Sequence, residues 1–228
     1  MKVDEYIKYF DSHAEYEEFK ASKDFVKPNV SHCVAENDVH YTAYKPEEPT
    51  DDFFNLEYTL EEGITTATVY GVFLHRGEIT SFKVDGSDVD TSSQIGYRFG
   101  DYDFGTSGKH TAKMDVTDVT NLRTFFDSCD KLSKAVLPSG ATEIEAIFNQ
   151  CNGLEYAELP STVTSANIYA GEALKTVKIW ATTPPPLNAG MFDNTAQDFE
   201  ILVPKESVDA YKQAENWSAY ADKIKPIK

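Results

Sequence analysis

The 228-residue chain predicts a β-rich α+β fold: an N-terminal helix and a small antiparallel β module, then a short repeat solenoid closed by a C-terminal helical cap. Three observations lead there. Apolar residues near the start recur at helical spacing; the middle of the chain is rich in β-branched and aromatic residues cut by Gly-containing turns; and the last half repeats itself.

At the N-terminus, Tyr6, Tyr9, Phe10, His13, Tyr16 and Phe19 lie at helix-like intervals among charged residues. Lys27-Pro28-Asn29 breaks the pattern, SHCVAENDVHYTAY reads as extended, and KPEEPTDD (residues 45–52) reads as a linker. Residues 1–50 therefore form the helix and lead-in. Residues 51–117 form the β module, with strands expected at NLEYTL, TTATVYGVFL, ITSFKV, YRF and HTAKMDV. Turn signals fall at Glu62-Gly63, Arg76-Gly77, Asp85-Gly86 and Ser107-Gly108.

The repeat occupies residues 118–228. Adding 22 turns Phe126 into Phe148, Cys129 into Cys151, Leu132 into Leu154, Ala135 into Ala157, Leu137 into Leu159, Pro138 into Pro160, Ser139 into Ser161 and Thr142 into Thr164. Those are eight identities in 17 positions, far above chance. A shortened third unit places Leu174, Val177 and Ile179 20 residues beyond Leu154, Ala157 and Leu159. A period of 20–29 with L-x-x-[AV]-x-[LI] is the signature of a leucine-rich-repeat solenoid, here of about four short coils. Alternation along each strand sends Ala157 and Leu159 inward, and stacked coils about 4.8 Å apart make one core. Trp217, Tyr220, Ala221 and Ile224 fall at i, i+3, i+4, i+7, the stripe expected of a capping helix, with Val208 and Tyr211 on a helix before it.

The pattern F-x-x-C-x-x-L-x-x-[AV]-x-L-P-S-x-x-T resembles the BspA-like leucine-rich-repeat family of bacterial, often Bacteroidetes, proteins. ATTPPPLN and FEILVPKESVDAYKQAENWSAYADKIKPI look like that family's closing strand and helical cap, and FKVDGSDV and FGTSGKHTAKMDV resemble its leading β module. The third unit, NIYAGEALKTVKIW, departs by lacking the Phe and Cys. The resemblance implies a cell-surface or secreted adhesion protein binding host or microbial protein or glycan, and a ladder of buried Cys.

Composition narrows the function classes. A net charge of −17 with no basic run argues against a nucleic-acid partner. No stretch approaches the ~20 apolar residues of a membrane span. The start lacks an apolar signal region, so the expected location is the surface or exterior if an export signal was trimmed, and the cytoplasm or a virion otherwise. Three cysteines, Cys33, Cys129 and Cys151, do not make a disulfide framework. Cys129 and Cys151, one repeat apart, stack about 5 Å from each other, as buried thiols or as a disulfide.

No catalytic constellation is evident. All five histidines (His13, His32, His40, His75, His110) precede the repeats, with no G-x-S-x-G elbow and no Gly-rich phosphate loop. The expectation is a non-enzyme without cofactor or metal. Two acidic sets have metal-ligand chemistry: His32-Cys33-Glu36-Asp38-His40 lacks the second pair a zinc site wants, and Asp85, Asp88, Asp90, Asp101 and Asp103 depart from the order of an EF-hand loop.

What remains is the strand face turned away from the core. Lys134, Tyr156, Glu158, Thr176, Lys178 and Trp180 are the candidate binding residues, because they alternate with the inward positions. The alternative for Trp180 is packing beneath the TTPPPL loop. The expected function is interaction or adhesion; the alternatives are a structural or phage-type assembly component and, more remotely, a hydrolase.

Overall fold

The computed structural model describes residues 47–69, 79–90 and 101–228 in full, and the backbone of Tyr70, Gly100 and four two-residue strands before them. These are β1 (Ile7–Lys8), β2 (Val34–Ala35), β3 (Asp38–Val39) and β4 (Tyr41–Thr42); β1 pairs with β4 and β2 with β3, both antiparallel. The helix expected over the first two dozen residues, the YRF strand and the Arg76-Gly77 turn lie outside the described residues. The chain divides into two compact units, residues 1–47 with Lys228 and residues 48–227.

The second unit is built on one nine-stranded mixed sheet. Its antiparallel half comprises β5 (Phe54–Leu60), β7 (Ile79–Val84), β8 (Ser87–Asp88) and β10 (Gly108–Val116). Its parallel half comprises β11 (Leu132–Val136), β12 (Tyr156–Leu159), β13 (Thr176–Ile179), β14 (Glu200–Val203) and β15 (Ile224–Pro226). The order across the sheet is β15-β14-β13-β12-β11-β5-β10-β7-β8. A separate ribbon, β6 (Thr66–Tyr70) with β9 (Gly100–Asp103), packs over the antiparallel half. Tyr58 on β5 donates its hydroxyl to the Val69 carbonyl at 2.7 Å. Tyr102 stands edge-on to both Phe82 and Phe104.

This corrects the expected fold class. The described residues contain one α-helix, α1 (Val208–Gln213), of six residues, and they form a continuous mixed sheet rather than a β module followed by a leucine-rich-repeat solenoid with a helical cap. The reason lies in β11, whose two backbone edges both need partners. One edge takes β12 in parallel, Ala135 opposite Ala157; the other takes β5 antiparallel, Ala135 opposite Leu56. The antiparallel strands thereby join the repeat strands in one layer.

The cap differs for a local reason. Asn216 takes a left-handed conformation (φ 62°), and the Trp217 indole donates to the Pro185 carbonyl at 2.8 Å. The chain past α1 therefore tightens into a 3₁₀ turn, Trp217–Tyr220, and then extends as β15, with Ile201 opposite Ile224. Trp217, Tyr220 and Ile224 are buried, but a turn and a strand bury them instead of one helical stripe.

Alternation explains why these segments are strands. In β5, Phe54, Leu56, Tyr58 and Leu60 face the core while Asn55, Glu57 and Thr59 face away. The 22-residue echo becomes parallel pairing: Lys134, Ala135 and Val136 lie opposite Tyr156, Ala157 and Glu158. Behind the strands, Phe126 stacks on Phe148 with ring centroids 5.8 Å apart. Leu132, Leu154 and Leu174 are wholly buried, as are Ala135, Ala157 and Val177. Gly153 is required by its surroundings, since a Cβ there would collide with the Asp130 carbonyl oxygen.

Candidate functional site

The outer face of the sheet is a grid set by strand register. One row crosses the strands through Lys83, Lys113, Asn55, Val136, Glu158 and Lys178, each directly opposite the next. The adjacent row runs through Thr111, Glu57, Lys134, Tyr156 and Thr176. A groove of about 500 Å³ lies over β7, β10, β5, β11 and the near side of β12, with Pro49 and Asp51 along its rim. The rim is tied down: Ser139 donates its backbone N–H to the Asp51 carbonyl at 2.9 Å, and Asn55 donates to the Asp51 carboxylate at 2.9 Å.

The candidate residues meet on this face, but largely engage one another. Glu158, 7% exposed, is the hub. Its Oε1 accepts the Trp180 indole N–H at 2.6 Å and pairs with the Lys178 ammonium at 3.1 Å; its Oε2 accepts the Tyr156 hydroxyl at 2.6 Å. Lys178 also stands over the Trp180 ring, 4.3 Å from its centroid. Trp180 is buried, its N–H taken by Glu158 and its ring met by Lys178, so it braces the face. Burial, with the neighbouring Glu158 carboxylate, pushes the Tyr156 phenol well above its ordinary range. Lys134 pairs with Glu57 at 3.0 Å and lies 5.7 Å from the Tyr156 ring centroid. Thr176 sits on the same face, half-buried at the start of β13. Lys134 and Glu158 line the groove; Tyr156, Thr176, Lys178 and Trp180 continue the face beyond it.

Strand spacing in the repeats reveals only part of this site. The contributions of β5, β7 and β10 were missed, because nothing local signals that β5 adds to β11. The alternation of Asn55 and Glu57 with buried neighbours was the available clue.

The acidic set of the β module is dispersed. Asp85 receives His110, Asp88 pairs with Lys83 at 3.0 Å, Asp101 accepts the Thr68 hydroxyl at 2.8 Å, and Asp103 accepts the Gly105 N–H at 2.9 Å. Asp90 ends the segment after β8 and also has an interaction partner. Among the described residues no three His, Cys, Asp or Glu side chains converge as a metal site. The His32, Cys33, Glu36, Asp38 and His40 side chains lie outside the described residues.

His110, 6% exposed, is a structural junction. Its Nδ1 lies 2.7 Å from Asp85 Oδ2, and its Nε2 is 3.0 Å from the Thr106 carbonyl. The Phe104 ring covers it at 4.8 Å. The Asp85-Gly86 turn, both residues at positive φ (48° and 83°), is thereby fastened to β10 and to the loop before it. The His110 hydrogen bond, then the Thr111 backbone N–H, hold the Asp85 carboxyl below its usual range.

Cys129 and Cys151 are free thiols in the core. Cys151 donates to the Phe126 carbonyl at 2.8 Å, and burial pushes the Cys129 thiol well up, which leaves it unreactive in the folded protein. No helix among the described residues is long and apolar enough to cross a membrane.

No known protein family matches this chain, and no curated protein matches it.

Proposed function

We propose that this chain is a non-catalytic binding module that engages a protein or glycan partner through the outer face of its sheet. The observation that carries the reading is the groove of about 500 Å³ on that face, within the size range of ligand sites, floored by charged and amide side chains on paired strands. Strand pairing and the Glu158 cluster hold the floor rigid, so little ordering entropy opposes binding. The resemblance of the repeat motif to BspA-like proteins points the same way.

The test is a glycan and protein binding screen with the intact chain, repeated with Lys134→Glu. Lys134 lines the groove and places its charge beside Glu57. Reversing that charge is expected to weaken a retained partner at least tenfold while leaving the circular dichroism spectrum unchanged. A screen without hits, or a partner that binds Lys134→Glu as well as the parent chain, refutes the reading.

A further inference from the structure

We infer that the groove takes a carboxylated saccharide, its acidic group held between Lys83 and Lys113. The inference rests on the binding reading above and adds the ligand's chemistry. Lys83 on β7 and Lys113 on β10 are direct cross-strand partners, and both line the groove. Like charges placed opposite each other weaken a strand pair, so an otherwise acidic chain carries here an arrangement that an anion relieves.

The carboxylates that line the groove, Asp51, Glu57 and Glu158, do not supply that anion. Asp51 accepts from Asn55, Glu57 is paired with Lys134, and Glu158 is engaged by Trp180, Lys178 and Tyr156. Lys83 does pair with Asp88, but that carboxylate is 82% exposed on the edge strand and does not line the groove. Lys113 stands over the Phe53 ring at 4.6 Å and has no carboxylate partner among the described residues. Lys83 and Lys113 therefore stand side by side at one end of the groove, and Lys113 is the one without a carboxylate partner among the described residues.

The rest of the wall selects the class. Beside the two lysines stand the Asn55 amide, which donates to Asp51, the Thr111 hydroxyl, which donates to Asp85 at 3.3 Å, and the Glu57 carboxylate, paired with Lys134; their remaining donors and lone pairs face a ligand's polar groups. Such groups exchange hydrogen bonds with ring hydroxyls. Pro49 and Val136 are the apolar side chains on the outer side of the groove, while Leu56 and Ala112 belong to the core side of their strands. An acidic peptide would want aromatic anchors, and no aromatic side chain lines this groove among the described residues.

Isothermal titration with an α-galacturonate trisaccharide tests this, beside the neutral galactose trisaccharide and a hexa-aspartate peptide. The acidic sugar is expected to bind at least tenfold more tightly than either control and to weaken as salt rises. Lys83→Gln and Lys113→Gln are each expected to cost about fivefold to tenfold, and Lys205→Gln, a remote exposed lysine, nothing. Equal binding of the neutral sugar, preference for the peptide, no binding, or indifference to both lysine variants overturns the inference. If the screen meanwhile yields a partner sensitive to Lys134→Glu, the binding reading stands and only the ligand class is lost.

Discussion

The parallel and antiparallel halves of the sheet both bury their inward side chains, but by different means. In the parallel half β11, β12 and β13 echo one another, so Leu132, Leu154 and Leu174 come at equivalent places, all wholly buried. In the antiparallel half no such echo exists. Its register comes from hairpin turns such as Asp85-Gly86, and its core needs the β6–β9 ribbon as a lid, joined through Tyr58, Phe104, Tyr102 and Phe82. The parallel strands share a core of matched positions, whereas the hairpin strands take a second ribbon as their cover.

The largest expected effect comes from the parallel half. Leu154→Ala, at a fully buried position between equivalent leucines, should lower unfolding stability by about 3 kcal/mol, read from chemical denaturation. A cost below ~1 kcal/mol would mean that this core tolerates a gap and is not the main stabilising element.

Next comes the outer face. Glu158→Gln removes the charge that Lys178 pairs with, in a buried setting, and should cost about 2 kcal/mol and shift Trp180 fluorescence. An unchanged emission spectrum would show that Trp180 does not depend on the cluster.

Tyr58→Phe addresses the lid. Deleting one buried hydroxyl leaves the Val69 carbonyl without that donor, and about 1 kcal/mol should be lost, with faster amide exchange in β6 and β9. Equal exchange in both proteins would detach the ribbon from the sheet energetically.

The smallest effect is electrostatic. The Asp85 carboxyl lies lower in the folded chain than unfolded, so its contribution is present above the ordinary carboxylate value of ~3.9 and fades as pH falls through the folded value. Asn at this site keeps the left-handed turn conformation but not the charge. Below about pH 4 the parent protein should therefore lose stability more steeply than Asp85→Asn. Parallel acid unfolding curves would show that the junction with His110 contributes nothing through charge.

Much of the inside-outside pattern was legible in the chain. The 22-residue echo places Ala157 and Leu159 inward and Tyr156 outward, and alternation in NLEYTL does the same for β5, because side-chain direction along a strand is a local property of the backbone. Turn chemistry at Glu62-Gly63 and Asp85-Gly86 was equally local, both glycines taking positive φ.

Three things required the tertiary structure. Glu158, outward by alternation, is nevertheless buried, because Trp180, Lys178 and Tyr156 close around it from other positions. Ile224, placed on a helical stripe by its spacing, is a strand residue, because Asn216 and the Trp217–Pro185 contact end the helical course first. Above all, β5 pairs with β11 across 70 or more residues of chain, as Lys134 opposite Glu57 shows, and so fuses what read as module and repeat into one sheet with a groove over the join. Periodicity speaks of each strand's two faces. Which edges meet is a long-range competition among backbone hydrogen bonds, and no local pattern records its outcome.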